Sequence, residues 1–293
     1  MDKISVIVPL YKGKKYISNI LKQINNNYEK VKQILEIEVI FVNDYPEEKI
    51  ILNEYYGKMN NNIKLLFIEN QYNMGIHESR INGLLKSSGN IIYFFDQDDY
   101  ISDNYFESQY AVLQNNDVVV CNGFQKGKTR NDLIYTSNYH INKVKKLNTY
   151  KMWNEIVSPG QCLIKRQCIP NYWIENIVKN NGSDDFFLWV LLLTNNCKFV
   201  INYEKLYTHI LTEYNFSNNF DKMINSNKEV CEYLKRYNQN TKKIANYQEK
   251  FIEMKIGKDF SLKENVYSFF KHPIIFLNRV IYKIIKYLKK TTN

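Results

Sequence analysis

The chain has 293 residues, enough to bury a sizeable core, and carries 40 Lys and Arg against 30 Asp and Glu for a formal charge of +10. At roughly 100–200 residues per domain, that length leaves room for one large domain, or one domain with an appendage. Its five cysteines are odd in number, widely spaced and without a C-x-x-C pair, which argues against both a disulfide framework and a zinc site and fits a reducing compartment.

The first element, Ile4–Val8, is too short for the apolar region of a signal peptide and ends on Pro9, so the N-terminus reads as part of the fold. Further β-rich runs follow at Glu38–Val42, Ile63–Ile68, Ile91–Phe95 and Val118–Cys121, separated by segments long enough for helices. Strands alternating with helices predict an α/β fold, a mostly parallel central sheet flanked by helices. In such sheets ligands bind outside the carboxyl ends of the strands. The residues there are Pro9-Leu-Tyr11, Asn43-Asp44, Glu69-Asn70 and Asp96-Gln97-Asp98-Asp99. From about Thr149 the pattern is less regular, with a turn at Ser158-Pro-Gly160, a short run Gln161–Lys165, the pair Asp184-Asp185 before a helical stretch Phe186–Leu193, and a run Lys198–Ile201. Beyond about Asn218 the chain reads as helices, the last from roughly Glu264 to Lys290, giving a helical C-terminal extension.

Carboxylates as dense as Asp96, Asp98 and Asp99 repel one another unless a cation or a hydrogen-bond network neutralises them. A divalent ion, Mg²⁺ or Mn²⁺, that shares its shell with a diphosphate suits an acidic turn without a full ligand set of its own. An acidic N-cap for a helix over Ser102–Leu113 is the other use of the cluster.

Four motifs in order resemble the family 2 inverting glycosyltransferases of the GT-A fold. They are Ser5-Val-Ile-Val-Pro-Leu-Tyr11, Val39-Ile-Phe-Val-Asn-Asp44, Asn73-Met-Gly75 with Arg80-Ile-Asn82-Gly83, and Asp96-Gln-Asp98-Asp99. The resemblance covers about residues 3–215. It implies a catalytic domain over 1–215, with a nucleotide-sugar-binding half at 1–122 and an acceptor half at 123–215, followed by a helical region at 216–293. It further implies that Pro9 and Tyr11 line a base pocket, with Tyr11 stacking on a uracil-like ring, that Asp44 hydrogen-bonds the base, and that Asn73, Arg80 and Gln97 lie near the nucleotide. Asp96 would meet ribose or metal, Asp98 would bind the metal, and Asp99 would support the site. The family's general base falls on Asp185, with Asp184 in place of the usual Glu, although a helix N-cap is also open to this pair. Gly160 and Gln161 match a segment passing beneath the donor sugar, or form a simple turn, and His209 falls where some relatives place a residue that reaches the metal. One departure stands out: the second motif usually continues into Gly-Ser, whereas Asp44 is followed by Tyr45-Pro46-Glu47-Glu48.

The activity implied is transfer of a sugar, with inversion, from a UDP-sugar to a saccharide or lipid-linked saccharide in bacterial surface-polysaccharide assembly. A sugar-nucleotide nucleotidyltransferase would need a Gly-rich basic loop after the first strand, where Tyr11-Lys-Gly-Lys-Lys15 has one glycine. A noncatalytic saccharide-binding protein of the same fold is the third class, against which intact Asp98 and Asp185 speak. No RNA-binding signature or zinc-finger spacing points to nucleic acid. In the last helix Leu277, Ile281, Ile284 and Leu288 form an amphipathic stripe beside Arg279, Lys283, Lys286, Lys289 and Lys290. That pattern suits a helix lying on an anionic bilayer, which implies a cytoplasmic protein held peripherally on the inner face of the plasma membrane. Packing on the catalytic domain, or in a homodimer, is the alternative use of the stripe.

Overall fold

The computed structural model describes residues 1–152, 154–212 and 219–255, together with Pro273 and Leu277. Its strands are β1 (Asp2–Leu10), β2 (Leu35–Asn43), β3 (Lys64–Glu69), β4 (Ile91–Phe94), β5 (Tyr100–Ile101), β6 (Val118–Lys126), β7 (Asn131–Leu133), β8 (Cys162–Lys165) and β9 (Phe199–Ile210). The helices are α1 (Lys14–Val31), α2 (Asn53–Tyr56), α3 (Ile76–Lys86), α4 (Tyr105–Leu113), α5 (Asn138–Ile141), α6 (Asn171–Glu175), α7 (Asp184–Thr194), α8 (Phe220–Tyr237) and α9 (Gln239–Lys255).

The strands run in the order β3-β2-β1-β4-β8-β6-β9-β5, with β7 on the side of β6. From β3 to β4 every ladder is parallel, as the alternation of strands and helices predicts. The second half is mixed: β8 lies antiparallel to both β4 and β6, and β9 runs parallel to β6 through an irregularity at Cys121 to Gly123. Two antiparallel steps restore direction, so β6 and β9 end on the same rim as β1 and β4.

The apolar runs become strands because both faces are covered. In β1, Ile4, Val6, Ile7 and Val8 are all solvent-inaccessible, and β2 buries Val39 to Val42 without alternation. In α1, Ile17, Ile20, Leu21, Ile24 and Val31 recur at helical spacing and face the core. Helix α7 is buried almost all round from Phe186 to Leu192, an interior helix that carries its acidic start, Asp184-Asp185, to the rim. Helix α3 seats against β1 because Gly83 has no side chain; a Cβ there would stand 2.4 Å from Ile7 Cγ2.

The chain divides into two compact units, Met1–Val230 and Cys231–Asn293. In the second unit Cys231, Leu234, Ile244, Ala245, Phe251 and Ile252 are buried, and Asn238 caps α9 by accepting from the amides of Asn240 (2.9 Å) and Thr241 (3.0 Å). The amphipathic segment expected over Glu264–Lys290 lies, apart from Pro273 and Leu277, outside the described residues. Among the described residues no helix is long and apolar enough to cross a membrane.

Candidate functional site

At the carboxyl ends of β1, β2, β4 and β9 the first unit holds a cavity of about 520 Å³, lined by Pro9, Tyr11, Asp44, Asn73, Arg80, Asp96, Gln97, Asp98, Asp184, Asp185 and His209 among others. These are eleven of the residues singled out in the sequence, gathered from six chain segments. Gly160 and Gln161 are not brought to the wall. Both are buried, and the carbonyl of Gly160 accepts from the hydroxyls of Tyr93 (3.3 Å) and Tyr105 (2.8 Å). Gln161 closes a capping box with Ser158, which places it beneath the site as a support.

The mouth is shaped by the loop after β1. Gln97 accepts from the Tyr11 amide (3.0 Å) and donates to its carbonyl (3.1 Å), fixing a turn in which Lys12 adopts φ 50°. The Tyr11 ring stays 46% exposed, edge-on to Tyr45 at 5.3 Å, with the Lys12 ammonium 5.0 Å from the Tyr45 ring. The departure from Gly-Ser after Asp44 therefore adds a second aromatic ring at the mouth. Glu48 from the same segment accepts from the Lys14 amide (2.9 Å) at the positive end of α1.

Asp44 lines the cavity, and both of its oxygens are engaged: Oδ1 accepts from Asn70 (2.8 Å) and the Met74 amide (2.7 Å), and Oδ2 from the Gly75 amide (2.9 Å). It thereby organises the loop that starts α3. Gly75 sits at φ 91°, a conformation that an L side chain rarely adopts. Asn181 accepts from the Ile76 amide (3.0 Å) and ties this loop to the segment before α7.

Arg80 is 3% exposed and bridges two carboxylates, Asp184 and Asp96, each at 2.6 Å. The Ser158 hydroxyl donates to the second oxygen of Asp96 (2.9 Å). Arg80 thus acts through the site's carboxylates, and Asp96 is held from both sides by protein. Beside Arg80, the acid of Asp184 is held below the usual carboxylate range against the cost of its burial. Burial, together with that negative neighbour, pushes Asp185 up to about 7. The Asp185 carboxylate accepts from Asn154 (2.8 Å) and from the Phe186 amide (2.7 Å).

Asp98 differs from its neighbours. Burial and the charges of Asp99 and Asp96 raise it to about 6, and the hydrogen bond holding it down comes from its own backbone. Asp99 is fully buried and saturated by the Tyr207 hydroxyl, the Ile210 amide (2.8 Å) and His209, whose Nδ1 stands 3.2 Å away. This anchoring leaves Nε2 as the ring atom of His209 open to other partners, and the surrounding carboxylates raise its pKa. Asn154 and Asn181, which hold Asp185 and the loop in place, carry no signal in the sequence, and Ser158, which holds Asp96, is visible there only as the start of a turn. As uncharged residues in irregular chain the two asparagines give no pattern to read. Lys222 and Met223 from α8 also reach the wall.

A profile described as glycosyl transferase family 2 matches residues 5–173. Glycosyltransferase GlyA of Streptococcus pneumoniae is 37% identical over 114 residues, covering 38% of this chain and 15% of that protein. The chain thus spans only a small part of that relative's length. Among solved structures, residues 1–349 of S. aureus TarS in complex with UDP-GlcNAc superpose with a TM-score of 0.62 at 17% identity, covering 89% of this chain and 77% of that one. The mannosyltransferase PcManGT from Pyrobaculum calidifontis in complex with GDP-Man and Mn²⁺ gives 0.58 at 12% identity, covering 91% and 78%. These likenesses show the GT-A fold expected from the motifs.

Proposed function

This chain belongs to glycosyl transferase family 2, and from that membership we propose that it transfers a sugar, with inversion, from a nucleotide sugar to a hydroxyl of a saccharide or lipid-linked saccharide in surface-polysaccharide assembly. The observation that carries the reading is one cavity at the strand ends whose wall holds both an uncommitted carboxylate, Asp98, and a carboxylate poised near neutrality, Asp185.

In this scheme the Tyr11 ring offers a stacking face for the base. The acceptor hydroxyl attacks the anomeric carbon from the face opposite the leaving group and gives its proton to Asp185. The bond from that carbon to the diphosphate oxygen breaks, and its electron pair leaves with the nucleoside diphosphate. Asn154 orients the Asp185 carboxylate, while Arg80 keeps Asp184 ionised and so keeps Asp185 basic enough to act near pH 7. Asp184 and Asp96 are positioning residues, since the guanidinium occupies them.

The donor set fits a hard divalent cation, Mn²⁺ or Mg²⁺. Among the described residues Asp98 supplies a carboxylate without a hydrogen bond from another side chain, and His209 is backed by Asp99 in the way carboxylates back metal-bound imidazoles. Asp96, bound by Arg80 and Ser158, is a weaker candidate than its sequence position suggests. When bound, such an ion neutralises charge that develops on the departing diphosphate. A uridine nucleotide is the first choice of donor because a TarS fragment binds UDP-GlcNAc and UDP, while PcManGT binds GDP-Man, so the base itself must be tested.

The test is calorimetric titration of wild type and Asp98→Ala with UDP, GDP and dTDP, each with and without Mn²⁺. Metal-enhanced binding of one nucleotide, lost in the variant, is the expected result. Failure of all three to bind would overturn the donor site and favour a noncatalytic protein.

A further inference from the structure

The rim opposite the cavity carries a second cluster of ligating groups. Asp117 immediately precedes β6, Cys168 closes the 3-10 turn Arg166–Cys168 after β8, and Cys197 lies just before β9. The two cysteines are far apart in sequence, yet their sulfurs and a carboxylate oxygen of Asp117 all lie within 4.8 Å of one another. Among the described residues this is the one tight group of three such ligands.

Backbone bonds hold the three segments together. The amides of Asp117 (2.9 Å) and Val118 (3.2 Å) both donate to the Lys198 carbonyl, the Lys165 amide donates to the Asp117 carbonyl (2.8 Å), and the Cys197 amide donates to the Leu192 carbonyl (3.0 Å). One oxygen of Asp117 accepts from the Lys198 amide at 2.7 Å. The Cys168 thiol also hydrogen-bonds Asp117, an interaction that a cation replaces when the thiol loses its proton; a carboxylate has several acceptor positions, so the Lys198 bond leaves it able to ligate.

We propose that Asp117, Cys168 and Cys197 form a binding site for a thiophilic divalent cation of the zinc type, which joins the starts of β6 and β9 to the turn after β8. A tetrahedral ion with sulfur at ~2.3 Å and oxygen at ~2.0 Å sets its ligands roughly 3.5–3.8 Å apart, so atoms already within 4.8 Å need to close by at most about 1.3 Å. All three residues are half-buried, which leaves room for water as the fourth ligand. Two sulfurs select a soft or borderline ion over Mg²⁺ or Mn²⁺, so this site and the Asp98 site sort different metals. Binding deprotonates both thiols and releases two protons, and the ion's two charges then offset most of the three negative charges of its ligands. Without an ion, burial and the Asp117 charge keep both thiols protonated. The clamp sits at the far end of α7 from Asp185, with Cys197 bonded into the last turn of that helix, so its role is to fix the frame behind the cavity.

The experiment uses the full chain, chelator-treated and kept reduced with a non-thiol reductant, titrated anaerobically with Co²⁺ as the probe. The expected result is a sulfur-to-cobalt charge-transfer band in the near ultraviolet that saturates at one equivalent, is bleached by Zn²⁺, and is lost in Cys168→Ser/Cys197→Ser. The Asp98 site cannot give this band, because no sulfur is among its ligands. Asp117→Asn keeps the acceptor for Lys198, so it folds even if the double variant does not, and its Co²⁺ affinity should fall at least tenfold. Absence of the band in reduced wild type overturns the proposal, and so does an undiminished band in the double variant or unchanged affinity in Asp117→Asn. A wild type that gives no band when reduced but joins Cys168 to Cys197 in air, seen by peptide mapping, also overturns it in favour of a redox pair.

Discussion

Residue by residue, the site works through a division of labour among six carboxylates, of which Asp44 is engaged by the loop before α3. Asp99 and Asp96 are saturated by protein donors, Asp184 by Arg80, and only Asp98 and Asp185 remain in a state that chemistry can use. Asp185→Asn should keep nucleotide binding and lower kcat by roughly 10²–10⁴, the usual worth of a general base; a loss under tenfold in a direct transfer assay would remove Asp185 from that role. In wild type, kcat/KM should fall on the acid side of about 7, where Asp185 takes up its proton. The same shift has a sign for stability. A carboxyl raised above its unfolded value binds more protons in the folded state, so stability is fully present below about pH 4 and is lost as pH rises through about 7. Asp185→Asn should therefore be the more stable protein at pH 8, with the difference closing at pH 4, as thermal melts at the two pH values would show. Arg80 has the opposite character. Arg80→Met strands two carboxylates, one of them fully buried, and should cost about 3–5 kcal/mol in urea unfolding. Arg80→Lys should recover only part, because one ammonium cannot reproduce the two-pronged bridge.

At the scale of elements, the approach of α3 to β1 positions Arg80 for both of its partners. Gly83→Val puts a Cβ 2.4 Å from Ile7 Cγ2 and 3.2 Å from Val42 Cγ2 in a filled core, and should cost about 1–3 kcal/mol with an unchanged denaturant slope. Gly57→Ala is the control, since a Cβ there meets nothing within 4 Å and its φ of −70° suits any residue. A Gly83→Val midpoint equal to that of Gly57→Ala would mean that α3 does not need this contact. Strands β1, β2 and β4 were legible because their apolar runs are buried on both faces, and β3, half-buried at the sheet edge, because its central residues Leu65 to Ile68 are all apolar. Strand β9 was legible only to Ile201; its continuation through Tyr203-Glu204-Lys205 is exposed and breaks the apolar pattern while still pairing with β6 across the irregularity at Cys121 to Gly123. The two-residue β5 and three-residue β7 are too short to show a period at all. The insertion of β8 between β4 and β6 depends on contacts between residues far apart in sequence, which local patterns do not encode. The same reason separates the charged site residues, visible as motifs, from Asn154 and Ser158, which matter only for where the fold carries them. It also explains why Cys168 and Cys197 looked unrelated.

At the scale of the whole molecule, the charge of +10 sits on a protein whose cavity is rich in carboxylates, so the positive excess must lie elsewhere on the chain. Part of it is concentrated in the C-terminal sequence, where Arg279, Lys283, Lys286, Lys289 and Lys290 accompany the stripe of Leu277, Ile281, Ile284 and Leu288. A segment of that composition gains from both burying an apolar face among acyl chains and meeting anionic headgroups, at about 1 kcal/mol per basic residue near the surface. We propose on these grounds that the enzyme works peripherally on an anionic membrane, where a lipid-linked acceptor would be presented. Full-length protein should co-sediment with vesicles containing anionic phospholipid and much less with zwitterionic ones, and added salt should weaken the association as it shortens the screening length. A chain ending at Lys263 should stay in the supernatant while binding nucleotide as wild type does. If the truncated chain sediments like the full one, the C-terminal sequence is not the anchor, and its apolar stripe is better explained by packing on protein, which a change in oligomeric state on truncation would then reveal.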